Sequence, residues 1–280
     1  MSDLLLPFQL DFMRDAMAAA VLVALACGLL SPFLVLKGWG LIGDAIAHAV
    51  LPGVALAWLL GLPLIAGAFV AGLGSAWLTG WLDTRSRVKR DTLMGVVFAG
   101  MFAAGLVMIA AFRADVHLDA ILFGNLLGIE PHELWTAGAV AGIVCAAVGL
   151  RWRDLLLHAF DPGQARAAGL RVAWLHHGLI ALVAGAVVAA LGAVGIILVV
   201  ALLITPGAIG FLVTRRFATM LLVSAASACA AALGGVYASF WLDSAPAATA
   251  VVLLTGGFLA ALAVRMRRDR AASAGSAPES

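Results

Sequence analysis

Residues 43–61 read GDAIAHAVLPGVALAWLLG, an apolar stretch long enough to cross a bilayer that nevertheless contains an aspartate and a histidine. Moving a carboxylate into hydrocarbon costs roughly 3 kcal/mol or more, so an acidic residue in such a stretch normally binds or conducts something. Asp44 and His48 are four residues apart, and on a helix they share one face, with Cβ atoms about 5–6 Å apart. This pair is the first candidate for a functional site.

The residues alone leave two interpretations of the pair open. One carboxylate and one imidazole can hold Mn2+, Zn2+ or Fe2+ but are too few to trap the ion, which suits a carrier. A two-fold axis beside this helix would bring two pairs together as an Asp2His2 site, so we expect a homodimer. In the other interpretation, Asp44 caps the helix after Gly43 and His48 makes a hydrogen bond in the core.

The composition predicts a polytopic membrane protein. Of 280 residues, 64% are hydrophobic and 11% are charged, whereas soluble domains have roughly 45–50% apolar and 25% charged residues. The apolar stretches predict an all-α membrane bundle of eight to nine transmembrane helices; with eight, one segment would be re-entrant or lie on the surface. The candidate spans are 15–36, 41–60, 63–82, 92–112, 134–150, 174–192, 195–213, 218–242 and 246–264.

Basic residues predict the orientation, because cytoplasmic loops of membrane proteins are enriched in Lys and Arg. The segments assigned to the cytoplasm are 82–91, 151–173, 214–217 and the C-terminal tail. On this assignment these segments and Lys37 place fifteen of the 17 Lys and Arg inside, and only Arg14 and Arg113 lie outside. We therefore expect an outer N-terminus and an inner C-terminus.

Two polar stretches are longer than simple turns. The inner stretch, RWRDLLLHAFDPGQARAAGLRVAWLH at 151–176, predicts a turn followed by a short amphipathic helix from about Gln164 to Leu170. It is either a docking surface or an ordinary solvated loop. The outer stretch, 113–134, contains the apolar run ILFGNLLGI, which is too short to span and is expected at the interface or dipping inward.

The remaining motifs carry less chemistry. The sequence has no GxxxxGK[ST] phosphate loop, so ATP would have to act through a partner. The three cysteines are far apart in apolar segments, which argues against a disulfide framework or a clustered thiolate site. Weaker candidate groups are His117 with Asp115 or Asp119, the trio Glu130, His132 and Glu133, the pair His176–His177, and the kink signal Thr205–Pro206–Gly207.

Five segments in order resemble the integral-membrane permeases of ABC importers for manganese, zinc and iron(II), the ABC-3 family. They are GDAIAHAVLPGVAL at 43–56, ILFGNLLGI at 121–129, FDPGQARAAGL at 160–170, VGIILVVALLITPGA at 194–208 and DSAPAATAVVL at 243–253. The resemblance covers about residues 15–264. It implies a type II ABC importer-like fold, with residues 1–270 forming a single permease domain. The small, polar, proline-containing sequence AASAGSAPES at 271–280 predicts a disordered tail.

The resemblance also implies roles for particular residues. The Asp and His of the first segment are metal ligands in the family, which carries over to Asp44 and His48. The segment at about 151–173 would couple the permease to an ATPase. The residues to which this role carries over are Asp161, Pro162, Gly163, Gln164, Ala165 and Gly169. Many relatives have Glu where this chain has Gln164, so docking here would depend on shape and apolar contact rather than on that charge.

The implied assembly contains two permease subunits, cytoplasmic ABC ATPases and an extracytoplasmic metal-binding protein in a bacterial plasma membrane. The chain itself is expected to be no enzyme, to hold no permanent cofactor, to contact membrane lipid and to bind no nucleic acid. Manganese is favoured over zinc or iron(II) as the transported ion. The alternative is a secondary, proton-coupled metal transporter, which would use several intramembrane acids, and an intramembrane metalloenzyme would need more zinc ligands than the spans supply.

Overall fold

The structure is a computed structural model that describes residues 6–112 and 124–274. Throughout these two ranges the chain is helical apart from turns, and the predicted all-α bundle is confirmed. A 3-10 turn at Leu126–Gly128 accompanies the α-helices. The helices are α1 (Leu6–Gln9), α2 (Asp11–Leu36), α3 (Ile42–Leu60), α4 (Leu64–Arg85), α5 (Arg90–Phe112), α6 (Pro131–Phe160), α7 (Pro162–Ala167), α8 (Val172–Val213), α9 (Phe217–Leu242) and α10 (Pro246–Ala274).

Eight helices in the described ranges are long and apolar enough to cross a membrane. The longest, α8, has 42 residues. As a straight helix it would measure about 63 Å, twice the roughly 30 Å of a hydrocarbon core. Its backbone leaves the helical conformation at Gly195 (φ 76°, ψ 169°), a left-handed φ that favours glycine.

The chain reverses direction at this glycine. Ala184 lies against Gly72 beside Ile46, while Leu203, nineteen positions later, lies against Gly43, only three residues from Ile46. A straight helix would hold Ala184 and Leu203 about 28 Å apart. The two arms of α8, 172–194 and 196–213, are therefore antiparallel and correspond to the spans predicted at 174–192 and 195–213.

The turn between α2 and α3 is a compact helix stop. Gly38 adopts φ 65°, the Trp39 N–H donates to the Leu34 carbonyl at 2.8 Å, and the Gly38 N–H donates to Val35. These two hydrogen bonds form a Schellman motif, which satisfies the last carbonyls of α2. Trp39 is buried. This turn, the C-terminal end of α6 and the short helix α7 lie at the same end of the bundle. We call it the basic end.

The helix α3 packs very closely on α4. A Cβ atom built on Gly53 would lie 2.1 Å from the Gly67 carbonyl oxygen, and one on Gly67 would lie 2.2 Å from the Gly53 carbonyl oxygen. Such an approach requires glycine on both helices, as small residues permit in membrane bundles. The crossing fixes the position of α3, which carries Asp44 and His48.

The segment between the fifth span and α8 differs from the prediction. The fifth span was predicted to end at residue 150, but α6 continues to Phe160 past a local break at Arg151 (φ −128°, ψ 18°). The short helix runs from Pro162 to Ala167 rather than from Gln164 to Leu170. Its start is set by the Asp161 cap with proline at the first helical position, and Gly169 with φ 80° follows its end.

The outer apolar run and the tail are described in part. Gly124 lies against Val194 and Gly195, and the Asn125 N–H donates to the Gly192 carbonyl at 3.4 Å. Residues 124–129 therefore pack on the reversal of α8, while 121–123 lie outside the described residues. The last helix extends to Ala274, four residues into the predicted disordered tail, and 275–280 also lie outside.

Candidate metal site

Asp44 and His48 form the accessible strip of the buried first part of α3, residues 42–55. Every residue of α3 from Ile42 to Ala55 is buried except these two. Their side chains are 27% and 24% exposed, respectively. The predicted shared face is thus real, and it is the part of this half of α3 that a small solute can reach.

The side chains of the pair are in direct contact. His48 Nδ1 lies 3.2 Å from Asp44 Oδ1 and 3.0 Å from the Asp44 carbonyl oxygen. Two ligand atoms about 2.1 Å from one ion and at right angles are about 3.0 Å apart. The Nδ1 to Oδ1 separation therefore fits a shared divalent ion once the proton between them leaves, as metal binding to histidine requires.

The interpretation of Asp44 as a helix cap does not hold. The N-cap position is Leu41, and it makes no side-chain capping bond. Asp44 is the third residue of the helix, where its charge is favourable to the helix dipole but where it is not the cap. The hydrogen bond expected of His48 does exist, but its partner is Asp44 itself, so it strengthens the pair.

Two aromatic rings of α5 flank the imidazole. The His48 ring centroid lies 5.2 Å from that of Phe98 and 5.5 Å from that of Phe102. The two rings are four residues apart on α5 and orient the imidazole by packing. Sequence reasoning did not identify them, although the spacing of FAGMF at 98–102 places both on one helix face.

The pair lies close to the basic end of the bundle. The predicted span begins at residue 41, and in the structure the helix stop at Gly38 and Trp39 is followed by a helix start at Ile42. His48 is therefore about 9 Å along the axis from the first residue of α3. Within the described ranges no third His, Cys, Asp or Glu completes a metal cluster. The described part of one chain thus offers two candidate side-chain ligands here.

Two of the other predicted groups lie between residues 113 and 133. Asp115, His117 and Asp119 lie outside the described residues. At the start of α6, Glu130 and Glu133 form a reciprocal capping box, and His132 Nδ1 lies 3.2 Å from Glu130 Oε2. In the structure these three groups serve the helix start.

At the basic end, histidines pack with aromatic and basic groups. His176 contacts the rings of Trp39, His158 and His177, with centroids 5.3 to 5.9 Å apart. His158 is buried and its Nε2 lies 3.1 Å from the Lys37 ammonium nitrogen. Because lysine only donates, Nε2 is the acceptor. The ammonium beside it disfavours a second cation.

The predicted coupling residues belong to segment 161–169, which forms an exposed protrusion beside this cluster. We call this segment the α7 knob. Asp161 Oδ1 accepts hydrogen bonds from the N–H groups of Gly163 at 2.8 Å and Gln164 at 2.9 Å. From 161 to 169 every residue is exposed except Ala165, which is fully buried against the bundle. The knob therefore offers its surface outward and is held by one small side chain.

A hydrogen-bonded clasp supports the second arm of α8 near the pair. Pro206 lacks an N–H and interrupts the helix ladder. The Gly207 N–H donates to Ser31 Oγ at 2.8 Å, and Ser31 Oγ in turn donates to the Ile204 carbonyl at 3.2 Å. Ser224 Oγ donates to the Pro206 carbonyl at 2.9 Å. The predicted kink signal therefore marks the point where α2 and α9 bond to α8.

Replacing Ser31 with alanine should lower stability, because it leaves a buried N–H without its acceptor. Such a loss costs about 1–3 kcal/mol, or roughly 2–4 °C in the unfolding midpoint for each kcal/mol. Thermal unfolding of the purified protein measures the effect. Ser227→Ala is the control, since Ser227 bonds within its own helix to Ser224, and equal midpoints for the two variants would contradict the role given to Ser31.

Comparison with known proteins agrees with these observations. The sequence profile of the ABC 3 transport family matches residues 9–265. The chain belongs to the ABC 3 transport family. The resemblance inferred from the five motifs is thereby confirmed, and so is the permease-like fold.

Relatives of this ABC 3 family chain include metal transport proteins and a solved structure. The chelated iron transport system membrane protein YfeD of Yersinia pestis is 48% identical, over 91% of this chain and 86% of that protein. The manganese transport system membrane protein MntB of a Synechocystis strain is 41% identical, over 91% and 84%. The structure of PsaBC from Streptococcus pneumoniae in complex with Fab matches with a TM-score of 0.84 and 31% identity, over 93% and 94%.

Proposed function

We propose that this chain is the membrane-spanning subunit of an ATP-driven importer of divalent transition-metal ions, in which Asp44 and His48 bind the ion in transit. The observation that carries the proposal is the contact between the two side chains, 3.2 Å apart on the accessible strip of the buried first part of α3. Membership of the ABC 3 family and relatives named for iron and manganese transport support it.

Two ligands per chain are consistent with an ion that must be released. A complete cage would hold the ion, whereas one carboxylate and one imidazole bind it weakly. We propose that a second copy of the chain contributes the same pair, so that a homodimer holds the ion during passage and no cofactor stays bound. An extracytoplasmic metal-binding protein would deliver the ion.

Manganese remains the favoured ion in this proposal, ahead of iron(II) and zinc. The preference is a prediction, since relatives are named for manganese and for chelated iron alike. The donor set does not select Mn2+ by affinity, because Fe2+ and Zn2+ bind N and O ligands more tightly. Selection would therefore depend on which ion the extracytoplasmic partner supplies.

The competing function is a secondary, proton-coupled transporter. Such proteins use several acids within their spans. The helices α8 and α9, which form much of the described core, contain no Asp, Glu, Lys or Arg. External energy through an ATPase subunit explains this composition better.

Uptake measurements in membrane vesicles distinguish the two functions. Vesicles containing the permease with its ATPase subunit and metal-binding protein are given radiolabelled Mn2+, Fe2+ or Zn2+, with or without ATP inside and with or without a protonophore. The proposal expects uptake that requires ATP and the ATPase and that survives the protonophore. Uptake that ignores the ATPase and collapses with the proton gradient would establish the competing function.

The orientation is part of the proposal. With the basic end in the cytoplasm of a bacterium, the exposed α7 knob faces the compartment where ATP is available. The C-terminal helix, rich in arginine over its last turns, then ends on the same side. A fluorescent reporter that matures only in the cytoplasm, fused after residue 280, should be bright, and a dark reporter with normal expression would reverse the orientation.

Replacing Ala165 with leucine should uncouple ATP from transport. The side chain is fully buried, so three extra carbons would push α7 from the bundle at a cost of about 1–3 kcal/mol. We expect ATP-dependent uptake to fall at least about tenfold while Mn2+ binding stays unchanged. Ala168→Leu, with the same added volume at an exposed position, should have little effect, and equal losses in both variants would argue against the buried anchor.

A further inference from the structure

A groove between α6 and α8 lies apart from the Asp44–His48 pair. Its part nearest the basic end is a cavity of about 710 Å³ that contains Arg151 and Arg171 among apolar side chains. We call that the lower part. The upper part, farther from the basic end, is a cavity of about 360 Å³ between α4, α6 and α8. Gly178 and Leu182 line both cavities. We call the combined feature the α6–α8 groove.

The lower part of the groove has the chemistry of a membrane interface. The guanidinium groups of Arg151 and Arg171 are exposed, and neither has a hydrogen-bond or ion-pair partner within 6–112 and 124–274. Trp174, 75% exposed, lies beside them, and Leu150, 84% exposed, borders the same cavity. Tryptophan and arginine together mark the level of lipid headgroups.

The upper part of the groove is lined by aliphatic and aromatic groups with a single hydroxyl, that of Thr136. Its glycines leave space instead of allowing helices to touch. A Cβ on Gly178 would meet nothing within 4 Å, and one on Gly185 would meet only Phe69 at 3.8 Å. This differs from the Gly53–Gly67 crossing, where the backbones are in contact.

The dimensions of the groove match a lipid in one leaflet. From Arg171 to Ala189 the groove follows α8 for about 27 Å, close to the roughly 30 Å hydrocarbon thickness. A chain anchored at the arginines needs only about half that length, which takes it past Leu182. The groove is cationic at one end and apolar beyond it. This order matches a phospholipid, whose anionic headgroup is followed by an apolar acyl chain.

We propose that the α6–α8 groove binds an anionic phospholipid, with the headgroup phosphate between Arg151 and Arg171 and an acyl chain along Gly178, Leu182 and Gly185. A soluble anion would use the arginines but leave the apolar part unfilled. The inference is independent of the proposed transport function, because it concerns lipid bound by the permease alone.

Mass spectrometry of the intact, detergent-solubilised protein tests the headgroup contact. Dioleoyl phosphatidylglycerol and dioleoyl phosphatidylcholine are titrated in parallel, and each bound lipid is counted. Basic side chains near a membrane each contribute about fivefold to anionic lipid binding. The double variant Arg151→Gln/Arg171→Gln should therefore bind phosphatidylglycerol about 25-fold more weakly. Arg87→Gln, at an exposed position outside the groove, is the charge control.

A groove-filling variant tests the acyl contact. Gly185→Leu should lower phosphatidylglycerol binding at least about tenfold without removing any charge. Gly142→Leu adds the same side chain to an exposed, open position of α6 outside the groove and should leave binding unchanged. Helical circular dichroism and a single elution peak show that each variant is folded.

Three results would overturn the proposal. Undiminished phosphatidylglycerol binding by the double arginine variant removes the headgroup site. Undiminished binding by folded Gly185→Leu, with displacement by millimolar inorganic phosphate, reduces the feature to a soluble anion site. Efficient disulfide dimers of Leu150→Cys in the bilayer would show that a second copy of the chain covers the groove.

Discussion

Replacing His48 or Asp44 with alanine is expected to reduce metal uptake by at least about 100-fold. Each change removes one of the two proposed ligands of the chain, and loss of even an outer hydrogen-bond partner of a metal ligand typically costs 10–100-fold. The two side chains offer different donor atoms, a carboxylate oxygen and an imidazole nitrogen, so we expect that neither residue replaces the other. Uptake of radiolabelled Mn2+ by vesicles with the ATPase present measures the effect.

The chain offers closely matched controls for both changes. His177 Nδ1 lies 2.7 Å from the Ala173 carbonyl oxygen, the same bond to residue i−4 that His48 makes, but the structure pairs no carboxylate with it. Asp91 is an acid in the first turn of α5, as Asp44 is in α3. His177→Ala and Asp91→Ala should keep most of the uptake. Normal uptake by folded His48→Ala and Asp44→Ala would show that the ion takes another path.

Replacing Gly53 with valine should prevent the protein from accumulating in a folded state. The new Cβ would lie 2.1 Å from the Gly67 carbonyl oxygen, so α3 and α4 would have to separate along their contact. Overpacking of an ordinary core costs about 1–3 kcal/mol, and backbone atoms cannot turn aside as a side chain can. We expect the yield of monodisperse protein to fall at least about tenfold.

Gly74→Val on α4 is the matched control for this change, because a Cβ there meets nothing within 4 Å. Both variants add the same β-branched side chain to an apolar helix, so a shared loss of helix propensity cancels in the comparison. Yield and thermal unfolding of the detergent-solubilised protein are the measurements. If Gly53→Val were as stable as Gly74→Val, the two helices could not be as close as described.

The sequence predicted the helices better than their ends. Hydropathy alone locates apolar spans, but α6 continues for ten residues past the predicted end because charged residues such as Arg153 and Asp154 are compatible with a helix in water. The start of α7 was readable from Asp161 followed by proline. The amphipathic pattern used instead placed the helix two residues too late. Cap chemistry is the better guide to short polar helices.

The contact between Asp44 and His48 was predictable from the sequence, but the surroundings of the pair were not. The spacing of Asp44 and His48 is sufficient to place them on one face, since this is a property of any α-helix. The rings of Phe98 and Phe102 belong to another helix, and their contact with His48 depends on how α5 packs against α3. No local pattern contains that information. The same holds for Ser31, whose partners are more than 170 residues away.

The reversal at Gly195 uses a single residue, so no flexible loop separates the two arms of α8. The first arm of α8 starts three residues after Gly169 at the foot of α7, and at its other end Gly192 is bonded to Asn125. A loop at the hairpin would absorb displacement, but a single glycine with φ 76° cannot lengthen. A displacement of α7 would therefore shift the first arm of α8 as a rigid helix. At the opposite surface, residues 124–130 before α6 would then move with it.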